Sequence, residues 1–187
     1  MKTEPWFYTY SGIKFQLLDP TMDMINIHDI AHSLSMQCRW NGHCKFFYSV
    51  AEHSFHVSNL VPKSLALHGL LHDAAEAYVG DIITPYKDQL VNAKTIEHKI
   101  LKLIFECFGV ANTLDDKHIV KLFDGQMIPT EAFQIVPFAT EYKWLEAFPH
   151  PAKIDLECWK SSVAKAVFLD RFNTLLNINE NGTMEAA

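Results

Sequence analysis

The segment from Leu65 to Tyr78, LALHGLLHDAAEAY, is the strongest constraint on what this chain can fold into. Its apolar positions Leu67, Leu70, Leu71, Ala74 and Ala75 recur at helical spacing and make a stripe that has to be buried. His72 and Asp73 stand on or beside that stripe, with Glu76 one turn further along the face of His72. Ionisable groups drawn toward an interior need a charged partner, hydrogen bonds or a metal. The core around this helix must therefore answer its charges as well as its apolar stripe.

With 187 residues, 49% of them hydrophobic, the chain is long enough for one compact domain with a substantial core. The expectation is a single domain over 1–187, with a core at about 25–177, an N-terminal segment at 1–24 and a flexible tail at 178–187. The opening MKTEPWFYTY lacks the basic-then-apolar order of a signal peptide, and no apolar run is long enough to span a bilayer. Cys38, Cys44, Cys107 and Cys158 form no C-x-x-C pair, so they read as reduced thiols and make a zinc knuckle the poorer account. These features predict a soluble, cytoplasmic protein. A net charge of -6 without a run of Lys or Arg argues against a nucleic-acid polymer or an anionic membrane as partner, but leaves room for a local basic pocket. Homo-oligomerisation is the expected assembly, and the aromatic N-terminus and the Trp144 to Phe148 region are candidate docking surfaces.

The fold class reads as mainly α with a small N-terminal β-hairpin. Residues 6–18, WFYTYSGIKFQLL, favour a peripheral hairpin around Ser11-Gly12. Helical spacing starts at Asn26 and stops at Asn41-Gly42. Ser49 with Glu52 has the form of a capping box that puts His53 in the second turn of the next helix. One helix is expected over 65–79, another from about Lys87 to Phe108, and a third from Leu114, bent or ended at Pro129 and resuming from Glu131 to Ala147. The last is expected from about Leu156 to Leu176.

In chain order, EHS at 52–54, HDAAE at 72–76, GDIITP at 80–85 and KLFDG at 121–125 resemble the HD-domain metal-dependent phosphohydrolases over roughly residues 25 to 145. The likeness is strongest to the YfbR-like 5'-nucleotidases and the compact phage DatZ-type dATP triphosphohydrolases. It implies a helical bundle in which His53, His72, Asp73 and Asp124 hold one divalent metal. Phe123 departs from the alanine usual before that last aspartate, so Asp115 and Asp116 stand as fallback ligands, although helix capping suits them better. Two imidazoles and two carboxylates suit a divalent transition metal, Zn, Co or Mn foremost, with further divalent ions arriving with substrate phosphates.

The resemblance further implies catalytic roles for Glu76, acting on water, and for Asp81, near the sugar or leaving oxygen. Arg39, Lys87 and Lys121 are the candidate phosphate cations, although the two lysines would fit a solvated surface equally well. Ile25, Ile27 and Trp40 are candidates to line a base slot that leaves the guanine 2-amino group unpaired, at a cost of about 1 to 3 kcal/mol. The remaining histidines read as structural or exposed, with His68, four residues before His72, the one best placed to be a further ligand. The resemblance thus implies hydrolysis of a deoxynucleotide phosphoester, with dATP to deoxyadenosine and triphosphate as the leading form and a monophosphate 5'-nucleotidase as the alternative. A nucleotide-binding HD scaffold without activity, or an interaction protein, is the reading from outside enzymology.

Overall fold

A computed structural model describes residues 5–184 and the side chains of residues 5–177. The first residues of the expected N-terminal segment and the last of the expected tail lie outside the described part. The fold is mainly α with one antiparallel hairpin, β1 (Trp6–Tyr8) and β2 (Lys14–Gln16), in which Phe7 faces Phe15. The hairpin lies at the edge of the fold, as expected, and is anchored there by one buried residue. Phe15 is fully buried and stacks on Tyr78 at 4.1 Å, and Ser11 donates from its backbone and hydroxyl to Asp29 at 2.8 and 2.7 Å.

Helix α1 (Ile27–Met36) opens on Asn26, whose side chain accepts from the His28 amide, and it stops short of the expected Asn41. Helix α2 (Val50–Leu60) is capped by Ser49, which accepts from the Glu52 amide. The expected capping box is only half formed, because the buried Glu52 carboxylate turns away and accepts the backbone N–H groups of Glu157, Cys158 and Trp159 at 3.0, 2.8 and 2.7 Å. With most of its residues buried all round, α2 is the central helix of the bundle. It packs on α3 (Ala66–Leu71), α7 (Leu114–Ile135) and α8 (Ser161–Met184), while α1 lies on α4 (Glu76–Val79) and α8. Phe15, Ile30, Leu34, Leu70, Leu71, Ile104 and Phe168 belong to the main core.

The later helices also differ from expectation. The stretch over 65–79 is two short helices, α3 and α4, joined by a tight turn in which the Ala74, Glu76 and Ala77 amides bond three residues back. The stretch from Lys87 is α5 (Thr84–Lys87), a loop containing Asn92 at φ 70, and α6 (Ala93–Cys107). Helix α7 opens on a complete capping box of Thr113 and Asp116 and runs straight through Pro129 to Ile135. The Thr130 hydroxyl donates to the Gln126 carbonyl at 2.6 Å, adding a bond in the turn that Pro129 deprives of an amide. Beyond Ile135 the chain forms only short 3-10 turns, and α8 continues through the expected tail as far as Met184. None of the helices is long and apolar enough to cross a membrane, among the described residues.

The close contact of α2 with α3 centres on Gly69. A Cβ there would stand 3.0 Å from the Val61 side chain and 3.2 Å from the Ser58 backbone. Gly69→Ala is therefore expected to destabilise the fold by about 1 to 3 kcal/mol, as overpacking does, and urea unfolding checks it. A variant unfolding at the wild-type midpoint would show that α2 and α3 separate without strain.

Candidate metal centre

The central helix carries His53 inward, the end of α3 and its turn carry His72 and Asp73, and α7 brings Asp124 from the opposite wall. Donor atoms of His53, His72 and Asp73 all lie within 4.8 Å of one another. The two Nε2 atoms are 3.3 Å apart, and Asp73 Oδ2 is 3.5 Å from that of His53 and 3.2 Å from that of His72. Asp124 Oδ1 completes the arrangement at 3.2 Å from His53 and 3.7 Å from His72. Ligands bound at about 2.0 to 2.2 Å from a transition metal lie roughly 3 to 3.5 Å from one another, so the donor set fits such an ion. The α3–α4 break has a local purpose: its tight turn brings the neighbouring His72 and Asp73 side chains to the same point.

Both imidazoles are oriented from behind. His72 Nδ1 bonds the Gly69 carbonyl at 2.8 Å, and His53 Nδ1 bonds Glu131 Oε1 at 2.6 Å, so each ring presents Nε2 to the centre. Glu131 is fully buried, and its Oε2 accepts from Arg39 Nε at 3.0 Å and Trp40 Nε1 at 2.9 Å. Sequence reasoning missed Glu131, although its position seven residues after Asp124 puts both acids on one face of α7. Gln37 was missed as well: its amide donates to the Glu76 carbonyl at 2.9 Å and accepts from the Asp81 amide at 2.7 Å, fixing the segment that carries both candidate catalytic acids.

The charges are balanced pairwise. Burial alone would raise the Asp73 carboxyl, but the charge and hydrogen bond of His72, with His53 beside it, pull it down to about 2. Burial opposes the imidazolium of His72, and Asp73 and Asp124 overcome it and hold its pKa well up. Burial also works against the Arg39 guanidinium, which Glu131, Asp81 and Asp73 keep charged. For Glu76, burial and then the neighbouring Asp73 and Asp81 push the carboxyl well above the usual carboxylate range. Its Oε2 is buried without a hydrogen-bond partner.

The centre stands at the side of a cavity of about 840 Å³. Arg39, Trp40, Glu76, Asp81, Lys87 and Lys121 all line it, beside Asp73 and Asp124. Lys87 is tethered, with Nζ 2.8 Å from Glu97 and 3.7 Å from Glu76, whereas Lys121 is exposed at the wall. Ile25 and Ile27 do not reach the cavity. Ile25 belongs to the main core and Ile27 packs against it, where α1 lies on α8. The apolar wall comes instead from Trp40, Ile82, Ile83, Ile128, Trp144 and Phe148, with Trp40 and Trp144 at 6.4 Å and Trp144 edge-on to Phe148 at 5.7 Å. Trp144 and Phe148 line the cavity, and Trp144 is exposed as well. Of the fallback ligands, Asp116 caps α7 and Asp115 is exposed. His68 is buried outside the ligand group.

No family model matches the chain. It is 36% identical over 173 residues to the uncharacterized protein YfdR of Escherichia coli, covering 92% of this chain and 96% of that protein. It is also 36% identical over 146 residues to the uncharacterized protein RCAP_rcc00048 of Rhodobacter capsulatus, covering 72% of this chain and 74% of that one.

Proposed function

The chain belongs to the family of Escherichia coli YfdR, and we propose that it is a metal-dependent phosphohydrolase of the HD-domain kind acting on a deoxynucleotide. The observation that carries this reading is the convergence of His53, His72, Asp73 and Asp124, donors from three separate elements, beside a cavity with both cationic and aromatic walls. When bound, a divalent ion supplies Lewis acidity toward water and a phosphoryl oxygen. The rest falls to the chain's own side chains. Arg39, held in one orientation by Glu131 and 3.8 Å from Asp73, offers the outer part of its planar fork to a phosphate. Lys121 adds a second positive charge from the rim, and Lys87 a third that Glu97 partly neutralises.

Glu76 lines the cavity wall with one oxygen that has no partner, suited to take a proton from an attacking water. Asp81, clipped by Gln37, stands on the same wall where it can meet a sugar hydroxyl or the leaving oxygen. Trp40 and Trp144, inclined at 45° to one another, offer aromatic faces for a base, with the Trp40 N–H already engaged by Glu131.

The test is direct. Protein loaded with Mn, Co, Zn or Mg is incubated with each deoxynucleoside triphosphate, each deoxynucleoside monophosphate and the ribonucleotides, dATP first, and the products are separated by chromatography. Nucleoside plus triphosphate is the expected outcome. Orthophosphate from monophosphates identifies a 5'-nucleotidase instead, and no turnover with any metal overturns the enzymatic reading.

A further inference from the structure

The cysteines are not spread evenly through the fold. Cys44 and Cys158 pack, with Trp40, against the small core of Tyr48, Ala132 and Ile135, whereas Cys107 lies against the main core. Cys38 joins the first group, its Sγ 3.5 Å from that of Cys44, and both thiols are free and half-buried. These two cysteines bound the loop 38–44, which carries Arg39 and Trp40, both partners of Glu131. Backbone hydrogen bonds fix its two ends, the Arg39 amide donating to the Tyr48 carbonyl at 2.9 Å and the Lys45 amide to that of Ile135 at 2.7 Å. Between the ends the chain is strained. Trp40, Asn41 and Gly42 follow one another at φ 58, 52 and 78, and left-handed backbone at two successive residues with side chains persists only where its surroundings hold it.

We infer that Cys38 and Cys44 are a redox modification site: by exchange with a small-molecule disulfide such as oxidised glutathione they form a reversible disulfide that locks the loop of Arg39 and Trp40 in its left-handed turn. Bonded sulfurs stand about 2 Å apart, so the pair has to close by roughly 1.5 Å between ends that are already anchored. Burial, and then the hydrogen bond to Cys38, pushes the Cys44 thiol up to about 11, so Cys44 keeps its proton while Cys38 attacks. The Cys38 thiolate, its proton released to water, displaces one glutathione thiolate and forms a mixed disulfide. Cys44 then gives up its bond to the Phe46 carbonyl, loses its proton, attacks the Cys38 sulfur and expels the second glutathione. The cysteine pair is oxidised by two electrons, and the small disulfide takes up those electrons and two protons to become two thiols. The inference is independent of the phosphohydrolase reading.

The full chain, equilibrated in buffers of rising oxidised-to-reduced glutathione ratio, then acid-quenched, alkylated and digested with trypsin, tests it. Trypsin cuts after Arg39 and Lys45, so the disulfide is read by mass as peptides 15–39 and 40–45 joined to one another. The joined pair is expected in wild type and in Cys158→Ser, and is expected to disappear with dithiothreitol. Cys44→Ser is expected to stop at the glutathione adduct on Cys38. Hydrogen exchange reads the lock, at the Gly42 and His43 amides that bond the Arg39 and Trp40 carbonyls at 3.2 and 2.9 Å. Exchange there is expected to slow by about tenfold or more in the oxidised form, because a cross-link removes open states of the loop. Absence of the joined peptides at every ratio, or Cys38 joined to Cys158 in their place, overturns the site. An unmodified Cys38 in Cys44→Ser overturns the exchange route, and equal amide exchange in the two forms overturns the lock.

Discussion

Asp73→Ala is expected to leave a folded protein that neither retains a metal nor hydrolyses any nucleotide. Its carboxylate is the anion closest to His72 and lies 3.5 Å from His53, so its removal strips the centre of the charge that balances a divalent ion. Removing a group that merely supports a ligand already weakens metal binding by about 10- to 100-fold, and removing a ligand itself is expected to exceed that. Metal content per chain after dialysis, measured by atomic emission, should fall from about one equivalent to nearly none. Asp81→Asn is the contrasting variant: it is expected to keep its metal and lose activity, because Asp81 stands on the cavity wall outside the ligand group. Stoichiometric metal in Asp73→Ala would mean that the ion binds elsewhere.

Glu131→Ala is expected to have the largest effect on stability. Its two oxygens are the shared acceptors of His53, Arg39 and Trp40, all within 3.0 Å, and the carboxylate has no exposure to water. Without it a guanidinium that is 14% exposed and two ring N–H groups lose their partner together. Breaking a buried pair in this way costs about 3 to 5 kcal/mol. Chemical denaturation of the metal-free protein measures the loss. Glu131→Gln, which keeps the shape and one acceptor, is expected to recover part of the stability while still weakening metal binding about 10- to 100-fold, since the His53 ring loses its anionic support. An alanine variant as stable as wild type would mean that water replaces the carboxylate without cost.

How far the sequence reveals this site depends on the residue. His53, His72, Asp73 and Asp124 are legible through the family likeness of the motifs that carry them, and the fold brings their donor atoms together. Glu131 is not, since an acid on an apolar helix reads equally as solvated, and only the fold brings Arg39, Trp40 and His53 to it from 92, 91 and 78 residues away. The break between α3 and α4 is hidden for another reason: His72, Asp73, Ala74 and Ala75 all tolerate a helix, and tertiary demands decide the tight turn. Ile25 and Ile27 show that apolarity predicts burial but not the cavity in which it occurs. The hairpin and the mainly α class are legible because alternation and helical spacing are local signals, whereas Pro129 misleads because the helix around it is held by its neighbours.

Two adjacent residues of α2 face opposite tasks: His53 joins the candidate metal centre, and Glu52 fastens the backbone at 157–159, more than a hundred positions away in the chain. Completing this region therefore requires closing loops of more than a hundred residues, contacts that slow folding. An ion that binds only the finished set of donors has little to hold in the transition state unless those distant segments have already met. Such an ion should act mainly as a brake on unfolding, lengthening the lifetime of the native state far more than it hastens its formation.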